Sequence, residues 1–489
     1  MSSVIQRYGH YIERSNTAFG NRLSYKHYQA EGISWCVQQE NANINGAFIA
    51  DEMGLGKTII MIMNCLISFK NSTLFVVPSS LLQQWREQIK NITGHDALIF
   101  HGHSKKTINF KQITSNPIVL TTYHSFAILK KNIDKPSNNI LHSINWDRIV
   151  YDEAHYLRNK NSLWYGASAL KSKFTWFISG TPIQNKTTDF RNLCRLVNIT
   201  PSQAKVLRRT KLQVGIDLPP PVIHNISVPY QNNQEFDLSR QVHYQLQFAN
   251  DITSFIVGIQ LCRQACIYPQ LLLNNERHIA NHLIQSPHLE NKFIAFQQSS
   301  KLSSVANKLY ERKDNGMGKI VFCQYKKEMT HLKTILQSMG MSVNLIDSTH
   351  TSKQKHSLLK GGFIPEKHSI KQLPIEISKH INSFLYSHVT ILQIQSSCEG
   401  LNLQDAFSEV YFVAPSWNPS VEAQAIARCH RIGQKNQVHV FRFYMESFKQ
   451  TDFPAFDDDI DTHIDNMDQY ILKKQKFKNK LANNFYSAI

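Results

Sequence analysis

DEMGLGKT, residues 51–58, lies between the apolar runs GAFIA and IIMIMNCLI, and its reading decides the fold. A strand, a glycine-rich loop and a helix in that order form the context of a nucleotide-phosphate cradle. Gly54 and Gly56 let backbone N–H groups approach phosphate oxygens closely. Lys57 supplies positive charge, and Thr58 a hydroxyl for a magnesium ion. Asp51 stands where the strict G-x-x-x-x-G-K-[ST] pattern has its first glycine, so the loop is a variant. Further along, DEAH (152–155) closes the apolar run RIVYDEAH, which reads as a buried parallel strand. An aspartate there can hold magnesium, and the following glutamate can polarise a water. Asp152 and Glu153 with Lys57 therefore imply hydrolysis of a nucleoside triphosphate. Taken alone, each string has a plain alternative: a turn with an exposed lysine, or a solvated acidic turn. Their order and context argue against both.

The chain has 489 residues, enough for two substantial cores, and is 42% hydrophobic. No apolar run is long enough to span a bilayer, and the N-terminus lacks the apolar core of a secretory signal. Its eight cysteines include no C-x-x-C pair, which predicts free thiols and a reducing compartment. Cys262 and Cys266 are expected to pack rather than to bind metal. Lys plus Arg outnumber Asp plus Glu by 54 to 36, and the net charge of +18 is spread along the chain. A polyanionic partner is the natural reading, and nucleic acid the best candidate beside a nucleotide site.

Short Val/Ile/Phe-rich runs alternate with longer amphipathic stretches. STLFVVP, PIVLTTY, RIVYDE and KFTWFISGT mark the first half; KIVFCQY, SVNLID, VTILQIQ, EVYFVAP and QVHVFRF mark the second. This is the pattern of two parallel α/β sheets. Residues 211–298 read as a helical connector without a strand series. Ile460, Ile464, Met467 and Ile471 recur at helical spacing, with Asp457–Asp459 before them and Lys473, Lys474 and Lys476 after. A C-terminal helix is predicted there, with charges complementing its dipole.

The ordered motifs resemble the Swi/Snf-type ATPase family of superfamily two helicase-like motors, from about Leu23 to the C-terminal helix. YQAEGISW looks like the adenine-recognition element, with Gln29 as reader. VVPSSLLQQW and LTTYHSF resemble the strand-contacting motifs. SGTPIQN (179–185), LRRTK (207–211), LCRQACIYP (261–269) and SWNPSVEAQAIARCHRIGQ (416–434) are similar to family strings. The resemblance implies two RecA-like lobes with ATP and Mg2+ between them. Residues 23–210 would form lobe one, 211–298 the connector, 299–448 lobe two, and 449–489 a C-terminal helical brace. Residues 1–22 would be a short extension, leaving a bare motor with no structural zinc.

The same resemblance assigns roles. Residues 51–58 (Asp51, Glu52, Met53, Gly54, Leu55, Gly56, Lys57 and Thr58) hold the nucleotide, and Thr58 and Asp152 the metal. Glu153 orients the attacking water. Gln424, Arg428 and Arg431, spaced Q-x-x-x-R-x-x-R, present cations from lobe two, and that spacing predicts both arginines on one helix face. Ser79, Thr121, Thr122 and Trp417 would meet a nucleic-acid backbone, with no sequence code. Thr181, Gln184 and Gly400 would couple lobe closure to that side. The implied track is double-stranded DNA, and the implied work is translocation that remodels protein–DNA complexes in the nucleus. The composition is similar to that of compact members encoded by large DNA viruses, for which a cytoplasmic replication site is the alternative.

The chain departs from the family pattern at Ile60, Ser348, Ala414 and the residues Ser397–Glu399 before Gly400. None of these removes a catalytic group. An amphipathic insert, about residues 362–386, interrupts lobe two. Two other readings compete: a strand-separating DNA or RNA helicase, and a DNA-binding scaffold without turnover. The intact Lys57, Asp152, Glu153, Arg428 and Arg431 argue against the scaffold.

Overall fold

The computed structural model describes residues 26–42, 44–135, 137–181, 186–246, 251–275, 299–347, 349–350, 389–394, 403–448 and 465–488. It divides into two units: residues 1–218 with 478–489, and residues 219–477. The extension 1–22, the insert 362–386, Gln184, Gly400, Ile460, Ile464 and Asp457–Asp459 lie outside the described residues.

The first unit is built on seven strands: β1 (Gly46–Ile49), β2 (Thr73–Val77), β3 (Leu98–Phe100), β4 (Ile118–Thr122), β5 (Asn145–Asp152), β6 (Lys171–Ile178) and β7 (Lys205–Leu207). They lie in the order β3-β4-β2-β5-β6-β1-β7, and every pairing is parallel. Helices cover the sheet: α1 (His27–Asn41), α2 (Lys57–Ile67), α3 (Leu82–Thr93), α4 (Phe110–Thr114), α5 (Ser162–Ala169) and α6 (Thr187–Leu196). Strands covered on both faces need apolar side chains at every position, which explains continuous runs such as Thr73–Val77, buried throughout. The expected runs form β1, β2, β4, β5 and β6. The three-residue strands β3 and β7 are new, and both sit at sheet edges.

One buried network ties this unit together. Glu40, at the end of α1, accepts from Arg148 of β5 at 2.7 and 2.5 Å. It also accepts from Asn64 and Ser68 at the end of α2, and from Trp176 of β6. Both charges are essentially inaccessible to water. Burial alone would push the Glu40 carboxyl up, but the Arg148 hydrogen bond and charge hold it below its usual value. Removing either partner would strand a buried charge.

The second unit carries six strands: β8 (Val222–Val228), β9 (Lys319–Cys323), β10 (Val343–Ile346), β11 (Val389–Gln393), β12 (Glu409–Phe412) and β13 (His439–Met445). Their order is β10-β11-β9-β12-β13-β8, again all parallel. Its helices are α7 (Asn233–Leu246), α8 (Ile252–Ile267), α9 (Ser300–Glu311), α10 (Lys326–Ser338), α11 (Pro419–Cys429) and the first half of α12 (Met467–Ala488), whose residues from 478 on belong to the first unit. All five expected runs form strands.

Two expectations need correction here. The stretch 211–298 is not a purely helical connector, because VIHNISV forms β8, an edge strand of the second sheet. The two units divide at residues 218–219, inside the stretch expected to be the connector. The C-terminal helix starts at Met467 and continues to Ala488, so Lys473, Lys474 and Lys476 lie in its middle and not at its end. Asp468 fixes that start. Its carboxylate accepts from the inaccessible Lys301 ammonium of α9 and, at 2.9 Å, from the Met445 N–H. Cys262 and Cys266 are buried in the apolar core of this unit, and all seven described cysteines are free and buried.

Candidate active site

In a parallel sheet every strand ends at the same edge, where α/β proteins bind their ligands. In the first unit that edge gathers the loop after β1, the carboxylates ending β5, Ser179–Thr181 after β6 and Arg208–Arg209 after β7.

The loop between β1 and α2 has the cradle geometry. Gly54 and Gly56 adopt φ of 90° and 77°, a region that L side chains avoid. A Cβ on Gly56 would also lie 2.4 Å from the Gln29 amide nitrogen. Gln29, buried in the first turn of α1, donates to the Leu55 carbonyl at 3.4 Å and accepts from Lys26 N–H at 2.9 Å. The proposed base reader therefore touches the loop itself. Leu55 sends its side chain into the core and offers only backbone. Lys57 and Thr58 begin α2. The Lys57 ammonium donates to the carbonyls of Asp51 at 2.6 Å and Glu52 at 3.3 Å. Burial lowers its pKa, while the charges of Glu153, Asp51 and Asp152 work the other way.

Asp51 turns its side chain to Arg209. Its side chain is fully buried and accepts a fork from Arg209, at 3.2 Å from Nε and 2.5 Å from Nη2, plus the Arg209 N–H at 2.9 Å. Glu52 is held in the same way, by Lys211 N–H at 2.8 Å and its ammonium at 3.5 Å. Arg208 donates to the Ala50 carbonyl at 2.6 Å. LRRTK is thus a splint along the phosphate loop. The sequence pointed to the string but not to this role. The aspartate in place of glycine is one half of the splint.

Asp152 ends β5 and is nearly inaccessible. Its carboxylate accepts from the Trp85 indole N–H at 2.7 Å and from Glu153 N–H at 3.1 Å, and its carbonyl accepts from the Tyr123 hydroxyl at 2.6 Å. Burial, followed by the Glu153 charge, pushes the Asp152 carboxyl up. Glu153 sits at φ 51°, ψ 50°, a left-handed conformation that costs a non-glycine residue about 1–3 kcal/mol. His155 Nδ1 lies 3.2 Å from a Glu153 oxygen and 3.5 Å from Ser179 Oγ, which accepts from Thr181 N–H at 3.2 Å. A Cβ on Gly180 would lie 2.9 Å from Met53 Cγ and 3.5 Å from Lys57 Nζ. The DEAH turn, the phosphate loop and the start of SGTPIQN therefore meet at one place. His155, Gly180, Trp85 and Tyr123 all lie within recognised strings, yet no pattern assigned them these contacts.

A hydroxyl at a helix start and a carboxylate at a strand end are hard oxygen donors suited to magnesium. Among the described residues, no three or more His, Cys, Asp or Glu side chains are placed to hold a metal ion by themselves.

The proposed nucleic-acid contacts divide. Ser79 is exposed at the end of β2. Thr121 and Thr122 are buried, and their hydroxyls are engaged internally: Thr121 donates to the Phe100 carbonyl at 2.8 Å, and Thr122 lies 3.1 Å from Ser125 Oγ and 3.0 Å from His101 Nδ1. They brace the turn, and His124 is the exposed residue beside them. In the second unit Trp417 is 37% exposed, just before α11.

Gln424 is buried on α11 and Arg428 lies in its last turn. Arg431 corrects the expectation of a single helix face. The helix ends at Cys429, and Arg431 stands in the following turn with its N–H donating to the Cys429 carbonyl at 3.1 Å. Gly433, at φ 99°, and Gln434, which donates to the Phe407 and Cys429 carbonyls, shape that turn. Glu422, missed in the sequence, anchors the other end of α11. It accepts from Ser416 N–H and the Gln475 amide and pairs with Arg442 at 3.0 Å.

Residues 28–206 match the family model described as SNF2-related domain. The chain is 26% identical over 448 residues to an ATP-dependent helicase of Mycoplasma genitalium, covering 85% of this chain and 39% of that protein. It is 26% identical to the mouse chromodomain-helicase-DNA-binding protein 1-like, covering 86% and 47%. With the yeast ISWI chromatin-remodeling complex ATPase ISW2 it shares 24% identity, covering 86% and 39%. The chain thus spans less than half the length of each of these relatives. A solved Sulfolobus solfataricus SWI2/SNF2 ATPase core in complex with dsDNA covers 87% of this chain at 20% identity, with a TM-score of 0.38. No described helix is long and apolar enough to cross a membrane.

Proposed function

We propose, for a chain that carries an SNF2-related domain and is homologous to the SWI2/SNF2 ATPases, that it is a DNA-dependent ATPase that moves on double-stranded DNA and remodels protein–DNA complexes. The observation that carries the ATPase reading is the meeting of Lys57, Asp152–Glu153 and Gly180 at the edge of one sheet.

The backbone at Gly54–Gly56 and the Lys57 ammonium bind the β- and γ-phosphates. Thr58 and Asp152 hold Mg2+, which when bound neutralises charge on the phosphate oxygens. Glu153, held in its left-handed turn, orients the attacking water and accepts its proton. Gln29 reads the base. Gln424, Arg428 and Arg431 of the second unit supply the cations that the transferring phosphoryl group needs, a contribution of ~10³–10⁵ in rate in related NTPases. The chain from Glu153 through His155 and Ser179 to Thr181 relays the state of the site into the SGTPIQN string. Ser79, His124 and Trp417 are exposed, and the net charge of +18 favours a polyanion. Similarity to a mouse chromodomain-helicase-DNA-binding protein and a yeast chromatin-remodeling ATPase supports DNA-bound protein substrates and a nuclear location as part of this reading.

The test is ATP turnover with no nucleic acid, single-stranded DNA, duplex DNA and RNA. Duplex DNA should stimulate most, and the stimulation should fall steeply with salt. Equal stimulation by RNA at every salt concentration contradicts the duplex track. Strand displacement by the parent chain would point to the helicase instead.

A further inference from the structure

The Trp85 indole is 1% exposed and packs on Phe75 at 5.1 Å. A buried indole N–H must find an acceptor. Its partner is Asp152 Oδ2 at 2.7 Å, while Oδ1 accepts Glu153 N–H at 3.1 Å. With one internal donor on each oxygen, the carboxylate has a single orientation and keeps an acceptor direction free on each side. The Tyr123 hydroxyl fixes the same residue from a second element, through the Asp152 carbonyl at 2.6 Å. The two donors come from α3 and from the turn after β4, the strands β2 and β4 lying side by side and β2 pairing with β5. These are independent elements converging on one residue.

We infer that Trp85 is a positioning residue for the metal-binding carboxylate, presetting Asp152 to receive Mg2+ with the nucleotide, and that Tyr123 supports it by fixing the backbone beneath. This rests on the ATPase reading above. Trp85 touches neither nucleotide nor metal; its action runs through Asp152. A hydrogen bond to a charged acceptor corresponds to about tenfold or more in an equilibrium constant.

The experiment measures the affinity of a fluorescent ATP analogue, with Mg2+ and with EDTA, for the parent, Trp85→Phe and Tyr123→Phe, alongside thermal unfolding. Phenylalanine keeps a ring at both positions; it removes only the hydroxyl at Tyr123, and the N–H donor with part of the ring at Trp85. Trp85→Phe should weaken Mg2+-nucleotide binding about tenfold and leave binding in EDTA unchanged. Tyr123→Phe should act in the same direction with a smaller effect, and it carries the test if Trp85→Phe does not fold. Affinities that fall equally with and without Mg2+, or that do not fall in either folded variant, overturn the inference. A parent chain that binds the nucleotide no better with Mg2+ than with EDTA overturns the ATPase reading itself.

Discussion

A single aspartate shows how much a local departure can mean. Asp51 occupies a glycine position of the phosphate-loop pattern, and its carboxylate is fully buried against Arg209. Taking away the guanidinium leaves a buried charge with too few partners, which typically costs about 3–5 kcal/mol. Arg209→Met should therefore destabilise the first unit by roughly that amount and weaken ATP binding. Adding Asp51→Asn should recover part of the loss, since the stranded charge is gone. Denaturant unfolding of the two variants checks this; additive losses would contradict a direct pair. Asp51→Gly, which restores the usual loop residue, should weaken the loop rather than improve it.

At the scale of elements, the buried strands and the loop–helix junction were legible, because strands covered on both faces need unbroken apolar runs. LFVV, IVLTT and KIVFC could be little else. The edge strands were not legible. β8 alternates exposed and half-buried side chains and includes His224 and Asn225, so VIHNISV carries a weak apolar signal. β3 and β7 are too short to show a period. In the site, the residues proposed to meet nucleotide and metal came from type and spacing. Trp85, Tyr123, His155 and Arg209 did not, because their roles depend on strand order, which spacing does not encode. Thr121 and Thr122 misled for the same reason: hydroxyls at a strand end look available until neighbouring elements supply Phe100 O and Ser125 Oγ.

The docking of α12 on the second unit yields a pH prediction. His243, in α7, has Nδ1 2.6 Å from the Ser239 carbonyl and accepts from Met467 N–H at Nε2, 2.9 Å away. Burial lowers its pKa to about 4. A depressed histidine pKa means that the unfolded chain takes up the proton first. The stabilisation is complete above about pH 6.5 and is lost as pH falls toward 4, about 3 kcal/mol in all. Thermal unfolding of the parent and His243→Gln should show the parent's advantage shrinking across that window. An advantage that stays constant from pH 7 to 4.5 would mean that His243 is not held neutral.

For the whole molecule, the roles proposed for Arg428 and Arg431 can be separated from that of the phosphate loop by mutation. Arg431→Ala leaves the phosphate loop untouched, so ATP affinity should change little while kcat collapses. Arg428→Ala should behave alike, and the double variant should lose far less than the product of the two, because both act on one transition state. Unchanged kcat in both single variants would mean that neither arginine serves the transferring phosphoryl group. The most direct test of the account is Glu153→Gln, measured for ATP binding and for turnover with saturating duplex DNA. The amide cannot accept the proton of the attacking water, while Lys57, Thr58 and Asp152 remain. Binding within about twofold of the parent, with turnover reduced by at least ~10²-fold, is the predicted result. Turnover close to the parent rate would contradict the assignment of this site.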